Sequence, residues 1–276
     1  MPHRPLPTLP WCWLGAVLLA GCAATTTEAT LTLSKPVVLL GEVHDNAAQH
    51  ALRVAAFEAL LLRGARPALA MEQFDRHQQS LIDRLLAQTP APDADALISA
   101  AGGAGWHWPH YRPFIELALK YRLPILAANV GRDDARRVMR EGLAATGFNA
   151  DVPGPLLAQQ AQGIEASHCG MLDAATAGRM ALAQVARDQF MARVLQENAA
   201  RGVVLLAGNG HVRTDIGVPH WLQPALRAGS DAIGMLEEGD STTAFDTRVF
   251  TPAQARPDPC EKMRRGVPGP APELRR

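Results

Sequence analysis

The chain of 276 residues carries 27 basic and 27 acidic side chains, so its formal net charge is zero. A balanced charge gives no overall field that attracts polyanions, and we therefore expect no binding to nucleic acid. Hydrophobic residues make up 47% of the chain and charged residues 20%, which is typical of a globular protein, and the length suits one α/β domain or two small ones.

The first 21 residues have the pattern of a signal peptide. Arg4 precedes an apolar run over residues 11–20, which is too short to span a bilayer comfortably. At the end of this run, residues 19–22, Leu-Ala-Gly-Cys, resemble the lipobox of bacterial lipoproteins, at which the signal is cleaved and the cysteine is acylated. We expect residues 1–21 to be removed, Cys22 to carry lipid, palmitate included, and residues 22–35 to form a tether. Ala23, where an aspartate would favour retention, indicates the outer membrane of a double-membraned bacterium.

The alternation of strand and helix patterns predicts one α/β domain over residues 36–250. Short apolar runs at residues 37–40, 67–71, 125–128 and 203–207 are typical of strands buried on both faces, and each is followed by helical periodicity. This order predicts a mostly parallel central sheet flanked by helices. Later segments predict a short helix over residues 214–227 and strands at 232–236 and 244–250.

Two other segments lie outside this alternation. Residues of about 142–200 are mostly helical in pattern and predict a helical insertion or lid. Residues 251–276 are rich in proline and predict a disordered tail. Cys169 and Cys260 remain after signal cleavage, and in an oxidising compartment they could pair, although their spacing matches neither a disulfide framework nor a zinc site. Their pairing stays open.

Polar side chains follow the predicted strands. Two of the strands end in the same pattern, a glycine followed three residues later by a histidine, at Gly41 to His44 and at Gly208 to His211. Because ligands of parallel sheets bind where the carboxyl ends of the strands meet, we expect one site there. Its predicted members are Glu42, His44, Glu72, Asn129, Arg132 and His211.

The chemistry of these residues leaves two interpretations open. Imidazole and carboxylate together suit zinc, iron or manganese, so His44, His211 and Glu42 could hold a divalent metal. With such a metal, Glu42 or Glu72 could act as the general base of a hydrolase. Alternatively, His44 caps the following helix and Glu72 pairs with an arginine such as Arg53 or Arg76.

The aromatic segment at residues 106–111 is a second candidate. Its His107, His110 or Tyr111 could ligate a haem iron, and Arg112 and Arg132 could bind carboxylates bidentately, as porphyrin propionates require. The alternative is that the aromatic rings pack a helix onto the sheet and the histidines are solvated. The sequence contains no covalent c-type haem motif.

With these residues in place, the chain resembles the ChaN family of bacterial haem-binding lipoproteins, within the larger Tiki/TraB/EreA-like superfamily. The matching pieces occur in the order of the family and are much more specific together than singly. They are GEVHDN at 41–46, AMEQFDRHQQ at 70–79, AANVGRDDARRV at 127–138, RDQFMARVL at 187–195 and AGNGHV at 207–212.

The resemblance implies haem or iron acquisition at the cell surface. It implies a lipid-anchored binding protein, a dimer able to hold haem between protomers, and an outer-membrane haem or iron receptor as a partner. The haem site would draw on Tyr111 and on the residues at the strand ends. Other branches of the superfamily resemble metal-dependent peptidases or hydrolases, so hydrolysis is the alternative function, and we expect a binding protein rather than an enzyme.

Overall fold

The computed structural model describes Met1, residues 31–258 and residues 260–261. The predicted signal peptide after Met1, Cys22, most of the predicted tether and residues 262–276 lie outside the described residues. The strands are β1 Val37–Leu40, β2 Ala68–Asp75, β3 Ile125–Asn129, β4 Val203–Leu206, β5 Ser230–Glu237 and β6 Thr247–Thr251. The helices are α1 Ala47–Leu62, α2 Gln79–Leu86, α3 Ala94–Ala101, α4 Arg112–Lys120, α5 Arg132–Glu141, α6 Gly154–Ser167, α7 Ala174–Asn198, α8 Asn209–Val212 and α9 Pro224–Ala228.

The strands form one sheet in the order β3-β2-β4-β1-β5-β6, and every pair in the described part of the chain is parallel. The predicted α/β class is confirmed. Strands β1 and β4 lie side by side at the centre, with Val37 opposite Val203 and Leu40 opposite Leu206. All their residues are buried, as expected of apolar strands covered on both faces. The two glycine-histidine motifs therefore leave the sheet from neighbouring strands.

Helices cover both faces of this sheet. On one face, Phe57 and Leu61 of α1 and Phe114 of α4 form a core with Leu40 of β1. Asn46 is the N-cap of helix α1. Its side chain accepts a hydrogen bond from the backbone N–H of Gln49, which would otherwise have no partner within the helix.

The opposite face is covered mainly by α7, which lies within the segment predicted as an insertion or lid. Met191 and Leu195 of α7 pack against Leu39 of β1 and Leu205 of β4. Helix α6 packs on α7 through Ile164. Helix α7 is thus a layer of the core, because its apolar residues bury against the sheet.

The prediction of one helix over residues 214–227 was wrong, and two prolines in this segment explain why. Only a 3-10 turn at Val218–Trp221 and the short α9 form there. Pro219 lies in the first turn of one of these pieces and Pro224 begins the other, since proline fits the first turn of a helix but lacks the N–H that a helix interior requires. No helix among the described residues combines the length and the apolar character needed to cross a membrane.

The last described residues are tied to the domain. Strand β6 ends at Thr251, the first residue of the predicted tail. Residues 252–258 have no regular secondary structure, but Arg256 forms ion pairs with Asp45 and Glu237. Cys260 forms a disulfide bond with Cys169, which lies in the turn between α6 and α7. The pairing that the sequence left open is present.

Two adjacent leucines at the end of α1 test the packing of this face. Leu61 is 1% exposed and Leu62 is 70% exposed. We predict that Leu61→Ala lowers the free energy of unfolding by about 2–5 kcal/mol, because it removes buried methyl groups and leaves a cavity. Leu62→Ala should change it by no more than about 0.5 kcal/mol. Urea denaturation of the oxidised chain measures both, and equal effects would contradict the packing described for α1.

Candidate functional site

The site lies at the carboxyl end of the sheet, where the loops after β1 and β4 meet. Gly208 comes so close to His44 that a Cβ atom built on it would lie 2.9 Å from Cε1 of the imidazole. Only glycine permits this approach without a shift. The expected convergence of the two motifs therefore occurs, and it explains why a glycine precedes His211.

Glu42 is the centre of the first half of the site. It is 2% exposed, and its Oε1 accepts hydrogen bonds from the hydroxyl of Tyr111 at 2.5 Å and from Nδ1 of His44 at 2.7 Å. Its Oε2 accepts from Nη1 of Arg53. Burial by itself would raise the pKa of Glu42, but the positive charge of Arg53 and the hydrogen bond from His44 lower it far below the ordinary value. Glu42 is therefore a fixed anion.

Arg53, on α1, is the counterion of Glu42. Its side chain is fully buried, and Nη2 donates to the carbonyl of Leu40 at 3.0 Å. The guanidinium carbon lies 5.5 Å from the centre of the Phe114 ring. Arg53 thus binds Glu42, and Arg76 pairs with Asp134, so neither is the partner of Glu72.

His44 brings this half of the site to the surface, since half of its side chain is exposed. Nδ1 is held by Glu42, whereas Nε2 has no hydrogen-bond partner within the described ranges. The ring meets Trp106 edge to face at 5.1 Å. Burial lowers the pKa of His44, but the hydrogen bond to Glu42 and the charge of Glu72 outweigh this and raise it.

The second half of the site contains Glu72, His211 and Asp188. Oε2 of Glu72 accepts from the backbone N–H of Gly208 at 2.8 Å, and Oε1 lies 3.6 Å from Nε2 of His211. Nδ1 of His211 lies 2.5 Å from Oδ1 of Asp188, and Oδ2 of Asp188 accepts from Gln160 at 3.0 Å. Carboxylates of two elements, β2 and α7, therefore hold this histidine, which lies in α8.

Electrostatics couple these buried groups. Burial raises the pKa of Asp188, against the lowering effect of His211. Burial lowers the pKa of His211, but the charges of Asp188 and Glu72 raise it above its ordinary value. Asp188 was not predicted from the sequence. The signal available was a lone acidic residue on the apolar face of α7, within a segment that matched the family pattern.

Two predicted members lie apart from this cluster. The pairing of β2 with β3 shifts register between Met71 and Asp75, so Asn129 lies opposite Asp75 instead of near Glu72. Its Nδ2 donates to Asp75 at 3.0 Å. Arg132 begins α5 and is exposed, and among the described residues it makes no hydrogen bond or ion pair.

Some residues of the aromatic segment at 106–111 pack in the core, and others border the candidate site. Trp108 packs against Phe74 and donates from Nε1 to the carbonyl of Gly103, as a core residue would. Tyr111 is buried and turned inward to Glu42, and burial followed by the charge of Glu42 raises its pKa far above the ordinary value. Trp106 instead borders His44 at the surface.

The histidines of the aromatic segment lie close to the loop after β1, which carries His44. His110 stacks on the buried His50 with ring centres 4.2 Å apart, and His107 meets His110 at 4.5 Å. Arg112, expected to bind propionates, is engaged with Asp95 and with Glu116.

The side chains of the site are not arranged as a set of metal ligands in the described residues. In the described part of the chain, no group of three or more histidine, cysteine, aspartate or glutamate side chains is arranged to hold an ion. Both oxygens of Glu42 already accept hydrogen bonds from protein groups. A cavity of about 260 Å³ opens beside the second half of the site, lined among others by Asp188, His211, Gln160, Ser167 and Arg213.

The chain matches a known protein family and is similar to proteins of known structure. Residues 31–222 match the family model described as "Haem-binding uptake, Tiki superfamily, ChaN". The structure is similar to the haem-bound ChaN of Campylobacter jejuni, with a TM-score of 0.67 and 21% identity, covering 78% of this chain and 87% of that one. It also matches the erythromycin esterase EreC with a TM-score of 0.42 and 14% identity, covering 81% of this chain and 78% of the esterase. No curated protein gives a significant match.

The coupling of His211 to its two carboxylates predicts the order of two pKa changes. Asp188→Asn should lower the pKa of His211 more than Glu72→Gln, because Asp188 contributes both a charge and a hydrogen bond. Since the folded pKa is raised, the stability that this histidine contributes is present below its unfolded pKa and is lost as the pH rises through the folded value. Titration of the imidazole by NMR measures the pKa, and a larger shift with Glu72→Gln would contradict this order.

The buried pair of Glu42 and Arg53 predicts a strong dependence of stability on both partners. Arg53→Met alone should lower the free energy of unfolding by about 3–5 kcal/mol, because it leaves an uncompensated buried carboxylate. Combining it with Glu42→Gln should recover part of this loss, because the stranded charge is removed. A double-mutant cycle by urea denaturation measures the coupling, and strictly additive effects would contradict a direct interaction.

Proposed function

The chain belongs to the haem-binding uptake family of the Tiki superfamily that includes ChaN, and we propose that it binds haem as a lipid-anchored protein of the outer membrane. Haem would bring an iron that a histidine, tyrosine, methionine or cysteine side chain of the protein can ligate. The question for this chain is which of its own residues fits that position.

His44 fits it best, and this residue carries the proposal. Half of the side chain is exposed, and Nε2 is the free nitrogen. The other nitrogen is held by Glu42, and a carboxylate behind a ligating imidazole fixes its orientation and raises its basicity. The edge of Trp106 beside the ring supplies apolar surface against which a porphyrin could lie.

Tyr111 does not fit as an iron ligand. Its side chain is fully buried, its hydroxyl donates to Glu42, and its raised pKa opposes formation of the phenolate. Its role in the proposed site is to hold Glu42, which in turn orients His44. His107 and His110 lie close enough to the loop of His44 to border the same face.

Hydrolysis is the second candidate function, favoured by the geometry around His211. Glu72 has one oxygen 3.6 Å from Nε2 of His211, and Asp188 orients the imidazole from the other side. A histidine oriented by a carboxylate beside an open cavity is the arrangement of a general base. Glu72, rather than Glu42, is the carboxylate that could assist it. If added zinc, manganese or cobalt brings no esterase or peptidase activity, this function is contradicted.

The place of the protein in the cell is also part of the proposal. The lipobox predicts acylation of Cys22, and the description of the family supports a role in haem uptake. The homodimer and the outer-membrane receptor are proposed from the resemblance of the sequence alone. Radiolabelled palmitate would be incorporated into the expressed chain and not into its Cys22→Ser variant. Labelling of both would contradict the anchor.

We predict that hemin titrated into the purified chain gives a saturable Soret band. His44→Ala should weaken binding by roughly tenfold or more and shift the band, because the nitrogen that would ligate the iron is lost. Tyr111→Phe should retain the band position, because the tyrosine holds Glu42 and does not touch the iron.

His220→Ala is the matched control, since His220 is an exposed histidine whose ring meets that of Trp221. It should bind hemin like the unmodified chain. The absence of any saturable band would contradict haem binding. Loss of the band in Tyr111→Phe, with full binding retained in His44→Ala, would contradict the assignment of the ligand.

A further inference from the structure

The segment that follows β6, residues 252–261, reaches back to the site, and we call it the strap. All of it except residue 259 is described. Arg256 binds Asp45 with two hydrogen bonds of 2.7 Å. The same guanidinium binds Glu237 with bonds of 2.8 and 2.7 Å. One arginine therefore joins the loop after β1 to the end of β5.

The loop held in this way is the one that carries His44. Asp45 follows His44 directly, and Asn46 donates from Nδ2 to Glu237 at 2.6 Å. The same nitrogen lies 3.4 Å from the carbonyl of Pro252, at the start of the strap. Glu42 fixes the imidazole of His44 from within the core, whereas the strap fixes the backbone of its loop from outside.

The far end of the strap is anchored covalently on the other side of the site. Cys260 is bonded to Cys169, with their Cα atoms 5.6 Å apart. Cys169 follows α6, whose Ile164 and Ser167 line the cavity shared with His211. The strap thus links the loop after β1, which borders the first half of the site, to the end of α6, which borders the second half.

The ion pairs are too exposed to hold the strap firmly by themselves. The side chain of Asp45 is 55% exposed and that of Arg256 is 30% exposed. Pairs of this kind contribute little and are screened by salt. With β6 fixing one end and the disulfide fixing the other, Arg256 has few alternative conformations, and its pairing costs less entropy.

We propose that Arg256 is a positioning residue for His44 and that the bond between Cys169 and Cys260 makes this positioning dependent on redox state. The inference rests on the proposed haem function. In the oxidised protein the loop is pre-organised and His44 retains haem. Reduction frees one end of the strap, loosens the loop and speeds the release of haem.

The proposed reductant is a dithiol. One of its thiolates attacks a sulfur of the disulfide and forms a mixed disulfide, releasing the other protein cysteine as a thiolate that takes up a proton. Its second thiol then displaces the first protein sulfur. The products are two protein thiols and a cyclic disulfide, so two electrons pass from the dithiol to the protein.

Two measurements on the full chain test the proposal, with dithiothreitol as the dithiol. Reduction should speed amide hydrogen exchange in residues 43–46 by roughly tenfold, the effect of losing a small set of exposed contacts. It should also speed hemin transfer to excess apomyoglobin by roughly tenfold, because pre-organisation of the ligand acts mainly on release. Cys260→Ser should behave like the reduced chain without any reductant.

Arg256→Gln should produce both changes in the oxidised chain, with a shifted Soret band that a purely structural role would not cause. Arg256→Lys should restore binding only in part, because lysine keeps the charge but cannot form the paired bonds. Arg136→Gln is the matched control, an exposed arginine that pairs with Asp133 on α5, and it should change neither measurement.

The outcomes separate this proposal from the haem function on which it rests. Equal exchange in residues 43–46 across the oxidised, reduced and Arg256→Gln chains would overturn the role of the strap. Faster exchange with unchanged hemin release would overturn the positioning of His44. A chain that binds no hemin in either redox state would contradict the proposed function, and the exchange measurement would still decide whether the strap holds the loop.

Discussion

The ion pair between Glu42 and Arg53 is the constraint on which the site depends. Both side chains are fully buried, and a buried charge is tolerated only when its partner and its hydrogen bonds are all in place. Glu42 follows the central strand β1, and Arg53 lies two turns into α1. Satisfying the pair therefore fixes the strand end, the helix and the loop between them in one arrangement.

The other hydrogen bonds that Glu42 accepts extend this constraint from the core to the surface. Tyr111 ties the start of α4 to the carboxylate, and His44 ties the exposed loop to it. The two histidines of the repeated motif consequently differ in character. His44 has one nitrogen in the core and one toward solvent, whereas the side chain of His211 is 12% exposed and lies between Asp188 and Glu72. The same local sequence pattern thus supports a ligand-facing group in one place and a buried proton-binding group in the other.

The sequence was informative where local pattern determines structure. Apolar runs located the central strands, and the repeated glycine-histidine spacing predicted that His44 and His211 approach each other, because parallel strands present their carboxyl ends on one side. It was uninformative where a contact depends on distant packing. Nothing local indicates that Tyr111 turns inward, that a register shift carries Asn129 to Asp75, or that Asp188 of α7 meets His211.

The order of strands in the sheet also governs when the molecule can fold. Val37 of the central strand β1 pairs with Val203 on one side and with Ser230 on the other, so both neighbours of β1 come from late in the chain. Sheets built from such distant pairings close slowly, since the entropy of a long loop is lost before any contact forms. The pairing of β1 with β4, and with it the meeting of the two histidines, cannot form until β4 is available, and β1 gains its second neighbour only with β5. A chain that emerges from its amino terminus must therefore remain without the centre of its sheet for most of its synthesis.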